Sequence, residues 1–294
     1  MNSEYNQEQN NSCNYGNFVS GNGNSTGNMT NNIQIVSAGL SYTDVKNICL
    51  DLFRENFINM KREANTTIEE RIEEFTEAYI GRIKNLKSEV VEELKNPDMQ
   101  YILYEGQKGY ALNGNEELLE RLIFLLSERT QKPQKDLIQL NLDEAITIVH
   151  KITEKQHNLL TIAFLIGKST WEDINDLDEL VLRFKEQVIP FIPCEKNIAN
   201  DLKYLEYLGC GNLLIGDKLE KILKLNYPNI FKDKASEDIK TDIINKYPEM
   251  KKLFDLWNDT GLKTYTLTTV GITLGWVNYS NKFKITVDLG IWLS

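Results

Sequence analysis

One apolar stripe constrains this chain more than any other feature. Ile68, Ile72, Phe75, Tyr79, Ile83, Leu86, Val90 and Leu94 follow one another at spacings of 4, 3, 4, 4, 3, 4 and 4. Such spacing lays one apolar face along an α-helix. An earlier series, Val45, Cys49, Leu52, Phe57, Met60 and Ala64, leads into it. Ser41 and Asp44 form a capping-box pattern at its start, and Asn96-Pro97 ends it because a pre-proline residue is driven out of the helical region. Unbroken, about 50 residues at ~1.5 Å each give a helix on the order of 75 Å long. The pair Thr66-Thr67 is the expected break if there are two helices. A stripe of this length must be covered, either by the chain folding back or by a second copy, as in a coiled coil. Periodicity alone leaves both open. The oligomer-contact candidates are Val45, Leu52, Phe57, Ile68, Ile72, Phe75, Tyr79, Ile83, Leu86 and Val90.

The stripe sits in a chain of 294 residues with 33 basic and 43 acidic side chains, a net charge of −10. This balance argues against coating nucleic acid or an anionic membrane by bulk charge. With 41% apolar and 26% charged residues the chain has enough apolar material for a core. Residues 1–32 are the exception: rich in Asn, Ser and Gly, they read as a tail that buries nothing. Ile33, Ile35 and Val36 suggest a short strand after it. The first eleven residues lack the basic and apolar parts of a signal peptide, and the apolar run at 159–166 falls short of the ~20 residues needed to cross a bilayer. Cys13, Cys49, Cys194 and Cys210 are scattered, so they read as free thiols of a reducing cytoplasm. Scarce Ala beside abundant Asn, Ile and Lys suggests an AT-rich, bacterial genome.

Beyond Pro97 the pattern predicts a succession of shorter helices. They fall near 98–103, 116–129, 144–152, 159–166, 176–188, 197–208, 218–225 and 238–257. Asp143 is the expected cap of 144–152, Thr153-Glu-Lys-Gln156 a capping box, and Gly209 a C-terminal stop. Pro248 reads as a helix start. Tyr265-Thr-Leu267 is β-prone, and 283–293 alternates Phe283, Ile285, Val287, Leu289 and Ile291 with polar or small residues, predicting a half-buried strand after a turn at 279–282. Between them Thr268 or Thr269 starts a short helix, or the segment pairs as a hairpin. The expected fold is mainly α: a tail (1–36), a long amphipathic helix or helix pair (37–96), and a helical domain closed by a small β element (97–294).

Several motifs suggest chemistry and fail on context. His150, Glu154 and His157 share a face only if one helix carries all three, and Thr153 caps a new helix between them. Gly167-Lys-Ser-Thr170 lacks the earlier glycine of a phosphate loop, since Ile162 stands there, and it follows a helix rather than a strand. The glycines of 21–27 likewise have no flanking strand. The acidic group Glu172, Asp173, Asp176, Asp178 and Glu179 has no EF-hand spacing, and a helix start accounts for it. No serine, cysteine or lysine nucleophile has an evident base. No catalytic residue, cofactor or metal is therefore expected from the sequence.

Two resemblances remain. The helix ending Leu205-Glu-Tyr-Leu-Gly209, followed later by Leu267-Thr-Thr-Val-Gly271, is similar to winged-helix modules, although over fifty residues replace the short wing. More broadly, the order of segments resembles a family of bacterial proteins known by locus names. It is carried by Gly39-Leu-Ser-Tyr42, Leu52-Phe53, Asn56-Phe57, Pro97 to Leu103, Asp143-Glu-Ala145, Leu205 to Gly209, Leu267 to Gly271 and Ile291-Trp292. The layout is more distantly similar to Abi-alpha-type abortive-infection proteins. That resemblance implies a role in phage defence or a mobile element and supplies no catalytic residues. The expected function is a non-enzymatic cytosolic interaction protein that self-associates through its front helices. The alternatives are a winged-helix-like nucleic-acid regulator and an abortive-infection effector.

Overall fold

The computed structural model describes residues 41–56, 62–84, 86, 92–132, 136–195, 197–285 and 287–293. The chain divides into two units, Met1–Ala38 and Gly39–Ser294, and every described residue lies in the second. The expected tail and the short strand at Ile33 to Val36 fall outside the described residues.

The stripe forms two helices, α1 (Tyr42–Asn56) and α2 (Arg62–Ile83). Ser41 starts α1 as expected: its Oγ accepts from the Asp44 amide at 3.2 Å, and its own amide donates to the Asp44 carboxylate at 2.8 Å. Thr66 and Thr67 do not break the helix but lie inside α2 on its exposed side. Their weaker helix propensity is outweighed by burial of Ile68, the next residue, and of Ile72 a turn further on. Leu94, the last stripe residue, is buried in a 3₁₀ turn at Glu92–Lys95 rather than on the same helix.

Pro97 opens α3 (Pro97–Asn113), which is longer than the predicted 98–103. It continues through Gly106 and Gly109 because both lie at close approaches. A Cβ on Gly106 meets Leu126 at 3.2 Å, and one on Gly109 meets the His150 ring at 2.7 Å. Next come α4 (Glu116–Thr130), α5 (Leu137–Val149) and α6 (Glu154–Gly167). Asp136, not Asp143, caps α5, accepting from the Gln139 amide at 2.8 Å. Asp143 stands mid-helix and meets Arg129 of α4 at 2.6 Å. The Thr153–Gln156 capping box starts α6 with both reciprocal bonds present.

The centre of the fold is α6 against α13 (Thr269–Phe283). Residues 159–166 of α6 and 271–280 of α13 are buried without interruption, so these helices are apolar on nearly every face. Each fully buried Leu, Ile or Phe contributes about 1.5–3 kcal/mol. Gly275 lets the two backbones approach: a Cβ there stands 2.8 Å from the Leu160 carbonyl oxygen and 2.8 Å from the Phe164 Cβ. Helices α4 and α5 complete the wall around α13, and α2 and α3 cover α4 and α5.

The other elements are α7 (Leu177–Gln187), α8 (Ala199–Tyr207), β1 (Gly211–Leu213), α9 (Leu219–Asn226), α10 (Pro228–Phe231), α11 (Ser236–Lys246), α12 (Lys251–Asp259), β2 (Tyr265–Leu267) and α14 (Gly290–Leu293). The predicted helix at 238–257 is in fact two, α11 and α12. Pro248 forces Tyr247 to φ −133°, ψ 80° and begins a 3₁₀ turn. Strands β1 and β2 pair antiparallel, Gly211 with Leu267 and Leu213 with Tyr265. The helices at 219–259 are inserted between the two strands.

The predicted strand at 283–293 does not form. Phe283 closes α13, Lys284 caps it at φ 51°, and α14 follows at Gly290. The predicted turn at 279–282 lies within α13. Alternation alone cannot make a strand without a partner, and the β1–β2 pair lies elsewhere, at the start of α13. Apolar burial holds this segment instead: Leu289 and Leu293 are buried, and the Trp292 Nε1 donates to the Lys168 carbonyl at 2.9 Å. No helix among the described residues is long and apolar enough to cross a membrane.

Candidate interaction surface

The ten stripe positions are mostly covered by their own chain. Val45, Ile68, Ile72, Phe75, Tyr79 and Ile83 are buried, and Leu52 and Leu86 are half-buried against the core. Phe57 and Val90 lie outside the described residues. Helix α1 packs on α2 and α3, and α2 packs on α3 and α4. Specific polar contacts fasten this packing. The Tyr79 hydroxyl meets Thr130 Oγ1 at 2.6 Å, the Arg71 guanidinium donates to the Ala111 carbonyl at 2.7 Å, and the Gln107 amide donates to the Cys49 carbonyl at 3.0 Å. Most of the described stripe positions thus pack against other helices of the same chain.

The residues weighed for chemistry are accounted for structurally. His150 caps α5, and His157 is buried in α6 with its Nε2 3.2 Å from the Val149 carbonyl. Burial, reinforced by the nearby Arg121 charge, holds the His157 imidazole well below its usual range. Glu154 turns away to pair with Arg121. Neither histidine bonds a serine, threonine or cysteine side chain among the described residues. Asp176 caps α7, Asp173 pairs with Arg183 at 2.6 Å, and Asp178 pairs with Lys246 at 2.5 Å. Gly167 ends α6, which confirms a helix before the phosphate-loop-like segment. Burial pushes the Cys49 and Cys210 thiols up to about 12, so both are inert, while Cys194 is exposed. Cys13 lies outside the described residues. Among the described residues no group of three or more His, Cys, Asp or Glu is placed to hold a metal ion.

What the surface does offer is an apolar platform made by α8 and the chain that follows it. Ile198, Leu202 and Leu205 bury one side of α8. The other side exposes Tyr204 and Tyr207, whose rings stack with centroids 6.2 Å apart. Gly209 at φ 74° ends the helix and reverses the chain into β1. Leu213, Leu214 and Ile215 then stand exposed in a row, with Ile215 wholly in solvent and Tyr207 82% exposed. Single exposed apolar residues are ordinary, but five within twelve positions are not.

The platform is held rather than loose. The amides of Leu214 and Thr268 bond Thr264 and Cys210 across the strand pair, so alternate residues of β1 face β2 and the Leu213 amide faces away. Glu206 of α8 accepts that outward amide at 2.9 Å. An edge strand whose donor is already taken is a poor template for strand addition, so contact here runs through side chains. Lys155 ties the approach to α8 through Glu195 at 2.8 Å, Asp201 at 2.9 Å and the Asn197 carbonyl at 2.9 Å. Those acceptors raise the Lys155 ammonium above its usual range. Beside the start of α8 lies a cleft of about 810 Å³, with Ile192, Ile198 and Leu256 along it and Lys251, Lys252 and Asp259 among its polar groups.

A protein-family model matches this chain over residues 39–239 and 232–293, under a description that reads only “:-like”. The chain belongs to that family. The matched stretches run from the front helices through the platform, the inserted helices and α14. The description states no activity, which is consistent with a family of proteins known by locus names. No curated protein and no solved structure matches the chain.

The platform was only half legible in the sequence. Tyr204 and Tyr207 lie on a predicted helix, three apart and therefore on one side. Leu213 to Ile215 form an apolar run of three with no period, and their exposure follows only from the pairing of β1 with β2.

Proposed function

We propose that this protein is a non-enzymatic bacterial cytoplasmic interaction protein that self-associates through the α8–β1 platform. The observation that carries this reading is the exposed group Tyr204, Tyr207, Leu213, Leu214 and Ile215. These side chains are uncharged, so two copies each bearing −10 meet there without setting charge against charge. The expected contact through the front stripe yields to this one because α3 and α4 already cover most of the stripe. Size-exclusion chromatography with light scattering on the full chain at tens of micromolar tests it. The expected result is an oligomer that becomes monomeric in Leu214→Ser/Ile215→Ser, with an unchanged circular dichroism spectrum. A wild-type monomer at that concentration refutes it.

A second reading has its own supporting observation. Pairing of β1 with β2 brings the Leu205-to-Gly209 and Leu267-to-Gly271 segments together despite the long insertion, giving the helix–strand–strand order of a winged helix. On that reading α8 presents Asn200, Lys203, Tyr204 and Tyr207 to nucleic acid. Salt-sensitive binding of duplex DNA, weakened by Lys203→Glu, is its signature, and absence of binding in low salt removes it. The distant similarity of its segment order to Abi-alpha-type proteins, read from the sequence, supports a setting in phage defence or a mobile element. An unchanged plating efficiency of phage on an expressing host would remove that setting.

A further inference from the structure

A second site lies apart from the platform, where α2, α4 and the end of α13 enclose a cavity of about 260 Å³. One wall is apolar, made by Leu119, Ile123 and Phe124 of α4. The opposite wall carries Ser280 and Asn281 at the last turn of α13. Ser280 is 1% exposed, and its hydroxyl has no partner; the Asn281 amide nitrogen is likewise buried and unpartnered. Two buried hydrogen-bonding groups without partners on one wall are uncommon, because each carries an uncompensated desolvation cost.

The charge at the rim narrows the ligand. Lys284 and Glu120 neutralise each other, with Nζ 2.9 and 3.0 Å from the two carboxylate oxygens. Arg82 is held differently. Its guanidinium lies over the Phe124 ring at 5.1 Å from the centroid, and its Nε reaches the Ser127 hydroxyl at 3.4 Å. A guanidinium fixed on an aromatic face is already oriented to take a planar carboxylate. The competing anion is Glu128, half-buried near Arg82 and raised above the usual carboxylate range by that burial. Asp288 adds a further negative charge acting on Glu128.

We propose that this cavity binds a small organic carboxylate with an apolar body: the body against Leu119, Ile123 and Phe124, the carboxylate toward Arg82, and the Ser280 and Asn281 donors satisfied by its oxygens. This goes beyond self-association and does not depend on it, since no platform residue lines the cavity.

Isothermal titration calorimetry of the full chain with benzoate and hexanoate, and with benzamide as the uncharged comparison, tests the proposal. The expected result is one-to-one binding of at least one carboxylate and weaker binding of benzamide. Arg82→Gln weakens carboxylate binding about tenfold or more and leaves benzamide unchanged. Glu128→Gln tightens it by removing the competing anion. Ser280→Ala weakens it while leaving the empty protein at least as stable, since a methyl replaces an unpartnered hydroxyl. Arg82 is exposed and Ser280→Ala adds no volume, so both variants keep the fold, and thermal melts verify this. No heat with either carboxylate at millimolar concentration overturns the proposal. So does equal affinity for benzamide, or binding indifferent to all three substitutions.

Discussion

Arg129 is fully buried, and replacing it with Met should cost a large part of the protein's stability. The guanidinium sits in α4 and joins three separate pieces of chain. Its Nε meets Asp143 of α5 at 2.6 Å, one terminal nitrogen meets Asp98 of α3 at 3.0 Å, and the other meets Glu93 of the 3₁₀ turn at 3.4 Å. At an effective dielectric constant of about 20, each contact carries roughly 5–6 kcal/mol of Coulomb energy before desolvation. Burying the ions cancels most of that gain, so the net worth of the cluster is small. Removing only the cation is another matter, because Glu93 at 7% exposure is left without a counter-charge, its carboxylate held only by the Asn96 amide. The expected loss is about 3–5 kcal/mol, a large part of the ~5–15 kcal/mol typical of a folded domain. Asp98 is 57% exposed, so water screens it and its share is minor. The assay is urea unfolding followed by circular dichroism and tryptophan fluorescence. Adding Glu93→Gln to Arg129→Met should recover more stability than adding Asp98→Asn. A loss below about 1 kcal/mol, or the reverse order of recovery, would refute the reasoning.

Two further outcomes are expected. Gly275→Ala should lower the melting temperature despite alanine's better helix propensity, worth about 1 kcal/mol, because the new Cβ meets the α6 backbone at 2.8 Å; a neutral or stabilising effect would show that the helices separate freely. His157 binds its proton less readily folded than unfolded, so below about pH 6.5 the unfolded state takes up the extra proton and stability falls as pH falls, by up to about 1.4 kcal/mol per unit, while above that pH its contribution is constant. His157→Gln should reduce that slope between neutral pH and pH 5 in urea melts, and an identical slope in variant and wild type would rule out the buried imidazole as its source.

Much of the helical punctuation was legible because it is local. Ser41 with Asp44, Thr153 with Gln156, and Thr268 with Gly271 each cap a helix within three residues, and Pro97 and Gly209 act through their own backbone restrictions. What misled was periodicity without a partner. The alternation at 283–293 predicted a strand, yet pairing is a long-range property, and Gly211–Leu213 pairs with Tyr265–Leu267 from over fifty residues away. Arg121 and Arg129 of α4 are charged, which in a sequence favours an exposed side chain. Both are buried, because Asn278, Glu154 and three further carboxylates come to them from distant segments.

The candidate sites divide along the same line. The order of side chains by itself determined a mainly helical chain, its principal stops and a stripe that had to be buried. Only the tertiary structure decided that α3 and α4 cover most of that stripe, that Leu214 and Ile215 stay in solvent, and that Arg82, Ser280 and Asn281 surround one cavity. The physical reason is that capping, helix period and proline restriction act over a few residues. Burial depends on which segments meet, and that is settled by the packing of the whole chain around α6 and α13.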